Sequence, residues 1–358
     1  MSGWQKWLPF GLEHQEKEVL LRERLVALCD YHYRHCAEYQ KIINSQGVKL
    51  DALHSITDIP FLPSRLFKLL ELRSIDPAAV TRVLTSSSTT GQIPSRIFLD
   101  KKTAFAKTTA LMKILQDFLG VHRMPMLIID HPGILGAHSG ITARGAGIQG
   151  ISHFGRDHTY AFVDPSMAVD EEAVRAFAER YQGKTKLIFG FTGIVWKYFV
   201  QAMSRITKKV DLSGSILLHS GGWKKLESEA VDNRRFKEGV FEAIKVDRVH
   251  NFYGMAEQIG TIFMECEHGR LHTPAFADVI VRDARNWSVC GQGESGLLQT
   301  LSILPESYPG HSILTEDRGF ITGEDDCPCG RKGKTLHVLG RMHQSEVRGC
   351  SDTQSGSL

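Results

Sequence analysis

A chain of 358 residues, 42% hydrophobic and 23% charged, is long enough to bury a large core, so a main domain with a smaller appendage is expected. Its formal net charge of +3 comes from basic residues spread along the chain, which argues against a nucleic-acid surface. No apolar run reaches the length of a membrane span and the start, MSGWQKWLPFGLEHQEKEVL, lacks a signal-peptide core, so a cytoplasmic protein with reduced cysteines is expected.

Residues 12–45 mix charged and apolar side chains at helical spacing. This predicts a helix with Cys29 and Cys36, seven residues apart, on one face as core thiols. A Pro-punctuated linker, DIPFLPSRLFK, leads to LTSSSTTGQIPSR at residues 84–96. The hydroxyls of Ser86, Ser87, Ser88, Thr89 and Thr90 compete with a helical backbone, and Gly91 permits a tight turn. Backbone N–H groups and hydroxyls gathered this way suit an anion such as phosphate; the alternative is a polar surface turn.

Nearly continuous apolar runs then appear at 125–130, 185–190, 215–220 and 247–254. Helical stretches separate them at about 103–119, 170–182, 194–208 and 224–245. The alternation predicts a parallel sheet covered on both faces. Ligand sites are expected at the carboxyl ends of its strands, in DHPG (130–133), GFTG (190–193), HSGGWKK (219–225) and YGMAEQ (253–258). His219 ends one such strand, as an active-site residue or as a strand cap.

Beyond residue 260 the pattern changes to period-two alternation, which predicts a small antiparallel β subdomain packed on the sheet. MECEHGRLHT and DDCPCGRKGK offer Cys266, His272, Cys327 and Cys329 as a structural zinc clamp. His272 is preferred over His268 because a turn at Gly269 would bring residue 272 back beside 266. The alternative is a set of unrelated subdomain thiols, and Cys290 stays unassigned. The last residues, CSDTQSGSL, read as a mobile tail.

SSSTTGQIPS is similar to the phosphate loop of adenylate-forming enzymes. NFYGMAEQ (251–258) resembles their tyrosine-glycine-x-x-glutamate motif, LTEDRG (314–319) their ribose-binding aspartate motif, and LGR (339–341) their hinge arginine. All four stand in the family's order. GRMHQSEVRGCSDT, with HSGGWKK and CPCGR, resembles the acyl-protein synthetases of the LuxE type, and the resemblance runs from about residue 10 to 353.

The resemblance implies an α/β fold like the adenylate-forming N-terminal domain: mixed and parallel sheets flanked by helices, a small β subdomain, and no full mobile C-terminal domain. It divides the chain into an N-terminal helical region (1–80), a nucleotide- and acyl-binding core (81–260), a β subdomain (261–341) and a tail (342–358). The implied function is ATP-dependent activation of a long-chain fatty acid to acyl-AMP and transfer of the acyl group to Cys350. The implied partners are acyl-protein reductase and acyl-transferase subunits.

By the same resemblance Ser86 to Gly91 would hold the β- and γ-phosphates. Gly221 and Gly222 would let backbone approach the adenine and acyl group, and Tyr253, followed by Gly254, would stack on the adenine. Glu257 would hold magnesium, a hard cation that prefers carboxylate oxygen. Asp317 would accept both ribose hydroxyls, Arg341 would contact the nucleotide, and Lys225 or Lys224 would assist adenylation. Arg348, two residues before Cys350, would favour the reactive thiolate. Three departures stand out: Ser88 replaces the phosphate-loop glycine, Arg96 is the cation nearest to that loop, and no lysine follows Lys334. Transfer to coenzyme A or a carrier protein, as in the phenylacetate ligases that share CPCGR, is an alternative. A non-catalytic nucleotide-binding scaffold is another.

Overall fold

The structure, a computed structural model, describes residues 3–85, 93–135 and 143–342. Near the N-terminus, α1 (His14–His35) and α2 (Ala37–Ser45) replace the single helix expected over 12–45. Cys36 breaks it with extended backbone at φ −130° and ψ 104°. Both Cys29 and Cys36 are buried, as core thiols should be. The chain then passes β1 (Leu62–Pro63), α3 (Leu66–Leu69) and an antiparallel ribbon of β2 (Arg82–Thr85) and β3 (Arg96–Leu99). Thr85 faces Arg96 across that ribbon. The hydroxyl residues Ser86, Ser87, Ser88, Thr89, Thr90 and Gly91 lie outside the described residues, as does Cys350.

α4 (Lys101–Leu119) starts where the Asp100 carboxylate accepts the Thr103 N–H at 2.7 Å and stops at Gly120, whose φ of +79° a glycine adopts freely. The α/β half follows: β4 (Met124–Ile128), α5 (Ala143–Ser152), β5 (Gly155–Tyr160), α6 (Glu171–Arg180) and β6 (Lys186–Phe191). α7 (Thr192–Ile194), a π-helical stretch (Val195–Val200) and α8 (Gln201–Arg205) run on as one helix. β7 (Ser215–Ser220), α9 (Asn233–Ile244) and β8 (Arg248–Gly254) complete the half. The helix expected over 224–245 is a short 3-10 stretch, Lys224–Glu229, followed by α9.

β5, β4, β6, β7 and β8 lie side by side in that order, all parallel. Alternate residues of these strands enter two different cores. Met126, Ile128, Leu187, Phe189, Ile216 and Leu218 pack toward α1 and α4. Leu127, Ile129, Ile188 and Leu217 pack toward α6, α9 and the helix over 192–205. Burial on both faces explains the unbroken apolar runs.

The remaining strands do not pack on this sheet but extend it edge to edge. β9 (Ile262–Glu265) pairs antiparallel with β8, and β10 (Leu271–His272), β14 (Lys334–Arg341), β13 (Ser312–Glu324), β12 (Gly296–Ser302) and β11 (Ala277–Arg282) follow in spatial order. With β1 beside β13, the sheet has 12 strands.

The N-terminal segment is built into this antiparallel half. Ala275 N–H donates to the Pro9 carbonyl at 2.6 Å and Lys332 N–H to that of Phe10 at 2.9 Å. His14 N–H donates to Asp325 Oδ2 at 2.7 Å. Lys17, buried, reaches Thr273 Oγ1 at 2.8 Å. Among the described residues no helix is long and apolar enough to cross a membrane.

Candidate active site and metal centre

The parallel strands deliver the anticipated loops to one sheet edge. Phe191 lies opposite Ser220, and Ser220 opposite Phe252, so Gly221 and Gly222 leave β7 beside Tyr253. Gly221 has φ +87°, the left-handed region where glycine costs least. Phe189, Phe191 and Phe252 form an aromatic wall below these loops, with ring centroids 5.6 and 6.4 Å apart. α5 closes on it so tightly that a Cβ at Gly147 would sit 2.9 Å from Phe191 Cζ.

Three residues singled out for the nucleotide converge. Tyr253 Oη donates to Asp317 Oδ2 at 2.8 Å. Asp317 faces Arg341 across the β13–β14 ladder, with Arg341 Nε 3.7 Å from Asp317 Oδ1 and 3.8 Å from Glu316 Oε2. The arginine side chain is 68% exposed, so its charge remains accessible to a ligand. Burial, then the Asp317 charge, hold the Tyr253 phenol well above its ordinary pKa and keep it a donor. Gly254 closes the turn into β9, and a Cβ there would lie 2.9 Å from Ile262 Cγ2.

Glu257 sits just beyond β8 in a 3-10 turn, Ala256–Gln258, and is 8% exposed. The turn that carries it is fastened on both its residues 257 and 258. Gln258 Nε2 donates to the carbonyls of Thr300 and Gly310 at 3.1 and 2.8 Å. Tyr308 Oη donates to the Glu257 carbonyl at 2.7 Å, and Lys107 Nζ to Tyr308 Oη at 2.5 Å. Among the described residues no group donates to the Glu257 carboxylate, which leaves its oxygens for a hard cation.

His219 is not brought into this group. It is buried on the α9 side, stacked on Phe236 at 4.3 Å, with Nδ1 2.9 Å from Thr192 Oγ1 and Nε2 without a hydrogen-bond partner among the described residues. Burial pulls it down to about 4, so it is neutral. The Phe189–Phe252 wall belongs to the opposite core. Lys225 lies on the 3-10 stretch after Gly222, and its side chain is outside the described residues.

Sequence reading named the DHPG loop as a ligand site without singling out Asp130 in it, and missed Lys107. Asp130, fully buried at the end of β4, accepts the His131 N–H at 2.8 Å and lies 3.0 Å from Arg144 Nε on α5. Lys107, 2% exposed, reads as a solvent-facing helix lysine. Yet it falls three and seven residues before the buried Ala110 and Ile114, a spacing that already places it on the inward stripe. Burial brings it down to about 7.

Away from that edge, Gly269 at φ +75° turns β9 back into β10, and His272 pairs with Met264. The C-x-C turn, closed by Gly330 N–H donating to the Cys327 carbonyl at 3.0 Å, faces them. The ligand atoms of Cys266, His272, Cys327 and Cys329 all lie within 4.8 Å of one another. Cys266 Sγ is 3.7 Å from Cys327 Sγ, and Cys329 Sγ is 3.4 Å from His272 Nε2. A tetrahedral zinc with thiolates at about 2.3 Å would hold two sulfurs about 3.8 Å apart. His272 Nδ1 has no hydrogen-bond partner among the described residues, and burial brings the imidazole down to about 4, keeping it in the neutral form a metal binds. Burial raises the Cys327 thiol and pushes that of Cys266 up to about 12. Such thiols become thiolates only if a cation replaces their protons.

Comparison with known proteins is consistent along the chain. The model of the family "Acyl-protein synthetase, LuxE" matches residues 6–358. A long-chain-fatty-acid–luciferin-component ligase of Aliivibrio fischeri is 23% identical over 361 residues, covering 98% of this chain and 90% of that protein. Its namesake from Vibrio harveyi is also 23% identical, over 95% of this chain and 89% of that protein. Among solved structures, an open conformation of 2-hydroxyisobutyryl-CoA ligase in complex with 2-HIB-AMP and CoA superposes with a TM-score of 0.70 at 16% identity, over 95% of this chain and 79% of that one. The postadenylation state of that ligase gives 0.71, also at 16% identity, over 94% and 73%. The chain belongs to the LuxE acyl-protein synthetase family, enzymes built here on the fold of adenylate-forming ligases.

Proposed function

We propose that this enzyme activates a long-chain fatty acid with ATP and then carries the acyl group on its own Cys350. The convergence of Tyr253, Asp317 and Arg341 beside the Gly221–Gly222 loop supports the reading most directly. Asp317 is the ribose acceptor, since one carboxylate can take two hydroxyl donors. The open space a Cβ at Gly222 would enter is where the adenine would lie, and the wall of Phe189, Phe191 and Phe252 would flank the alkyl chain. Ser86 to Gly91, between β2 and β3, cradle the β- and γ-phosphates, and Lys225 is the candidate cation beside the reacting carboxylate.

The fatty acid carboxylate attacks the α-phosphorus and forms a P–O bond as pyrophosphate leaves. The Cys350 thiolate then attacks the acyl carbonyl, forming a thioester and releasing AMP. Fixed donors around the phosphates stabilise charge as it develops. Glu257 would hold the magnesium of Mg·ATP, which neutralises triphosphate charge. Cys266, His272, Cys327 and Cys329 hold a structural zinc that fastens β9 and β10 to the 327–330 turn. The names of the curated relatives support the fatty acid. An acyl-protein reductase is the natural consumer of the thioester, working with an acyl-transferase.

Intact-mass measurement with ATP, magnesium and tetradecanoic acid tests this. One added acyl group, absent in Cys350→Ser, is the expected result. Acyl-AMP formation without an adduct would move the acceptor to coenzyme A or a carrier protein, and no acyl-AMP would leave a nucleotide-binding scaffold.

A further inference from the structure

Lys107 is a buried amine without an anionic hydrogen-bond partner among the described residues. It is 2% exposed, its Nζ donates to a neutral phenol, and the ring of that phenol lies 4.4 Å below it. Glu257 is the charged group whose field acts on it. Burying an ammonium this way is costly, and a hydrophobic residue of similar size is often neutral or stabilising in its place. Its presence in this core calls for a functional account.

The hydrogen-bond chain provides one. A protonated lysine has three donors and no acceptor. With Lys107 protonated, Tyr308 Oη accepts from it, and the phenol's own proton is turned onto the Glu257 carbonyl at 2.7 Å. The neighbouring backbone leaves this chain little slack. Gly260, at φ +93°, packs so closely that a Cβ there would lie 2.6 Å from the Lys107 carbonyl oxygen, and one at Gly310 would lie 3.0 Å from that of Glu257.

We infer that Lys107, acting through Tyr308, is a positioning residue that aims the Glu257 carboxylate at the magnesium of Mg·ATP. The inference rests on the reading of Glu257 given above. It assigns to α4 a part in nucleotide binding although Lys107 need never touch the nucleotide.

ATP–pyrophosphate exchange with tetradecanoic acid, measured against Mg·ATP concentration, tests it on the full chain as wild type, Lys107→Met, Tyr308→Phe, their double variant and Glu257→Gln. Lys107→Met is expected to raise KM for Mg·ATP about tenfold, with kcat within about threefold and an unchanged or higher Tm. Tyr308→Phe should give a similar KM, and the double variant should be no worse than either single one. The combination of sound stability with impaired Mg·ATP binding is what a merely structural lysine would not produce. Glu257→Gln impaired while both Lys107→Met and Tyr308→Phe keep the wild-type KM would overturn the inference alone. So would a fall in Tm with KM unchanged. Should Lys107→Met fail to fold, the KM of Tyr308→Phe decides. A wild-type KM for Glu257→Gln would instead overturn the magnesium reading, and this inference with it.

Discussion

At the scale of single residues, Asp317 has most to do. Its carboxylate already holds the Tyr253 hydroxyl and lies 3.7 Å from the Arg341 guanidinium, so on the function proposed above a ribose would meet a preoriented acceptor. Asp317→Asn keeps one acceptor oxygen but loses the charge and replaces the other with a donor. It should raise KM for ATP about tenfold or more with little change in Tm, read by pyrophosphate exchange; an unchanged KM would remove Asp317 from the ribose site. Asp317 and Arg341 were picked out by the resemblance of LTEDRG and LGR to family motifs, and the β13–β14 ladder joins them in space. His219 was legible in position but not in direction. It shares strand parity with Leu217, under the helices, rather than with Leu218, and that parity was the available signal. Lys107 was overlooked because lysine is taken as exposed by default, though its place on the stripe with Ala110 and Ile114 marks it as buried.

At the scale of elements, runs buried on both faces announced β4, β6, β7 and β8. α5 and β5 escaped because ARGAGIQGIS is rich in glycine and GRDHTY is largely polar, so neither carries a strong apolar period. Alternation announced the antiparallel strands beyond residue 260, but the edge they join is set by pairing across long sequence separations, and β9 on β8 continues the first sheet. The β9–β10 hairpin is also where metal matters. β10 has two residues, too few to hold its register by ladder bonds alone. Metal analysis of the purified protein should find about one zinc per chain. Cys327→Ser or a strong chelator should remove it and lower Tm by several degrees, whereas Cys290→Ser, outside the cluster, should retain it. A metal-free protein of unchanged Tm would refute the clamp.

Across the whole molecule, stability depends on histidines kept neutral by burial. Burial brings His311 down to about 3 and His219 to about 4, and holds His32 well below its usual range. His311 Nε2 lies 3.3 Å from Cys29 Sγ, and its ring stacks on His32 at 4.9 Å. Above pH 6.5 these groups are neutral in both folded and unfolded chains, so they add no pH dependence. Below it the unfolded chain binds protons that the folded chain refuses, and stability falls. Each histidine contributes a slope of roughly 1 kcal/mol per pH unit until its folded value is reached. Urea unfolding at pH 7.5, 6.0 and 5.0 should show this loss, and His311→Asn should flatten the slope. An equal slope in that variant would assign the acid sensitivity elsewhere.

The ties between the N-terminal segment and the far end of the sheet also set a timetable. Pro9, Phe10, His14 and Lys17 find their partners at Ala275, Lys332, Asp325 and Thr273. A nascent chain therefore exposes α1 early and cannot complete its ties until residue 325 has left the ribosome. Closing contacts over some three hundred residues is slow, and the waiting helix keeps Leu21, Leu25 and Leu28 uncovered meanwhile. For most of its synthesis the chain therefore carries that apolar stripe without its final partners, and the last strands made are the ones that complete the packing.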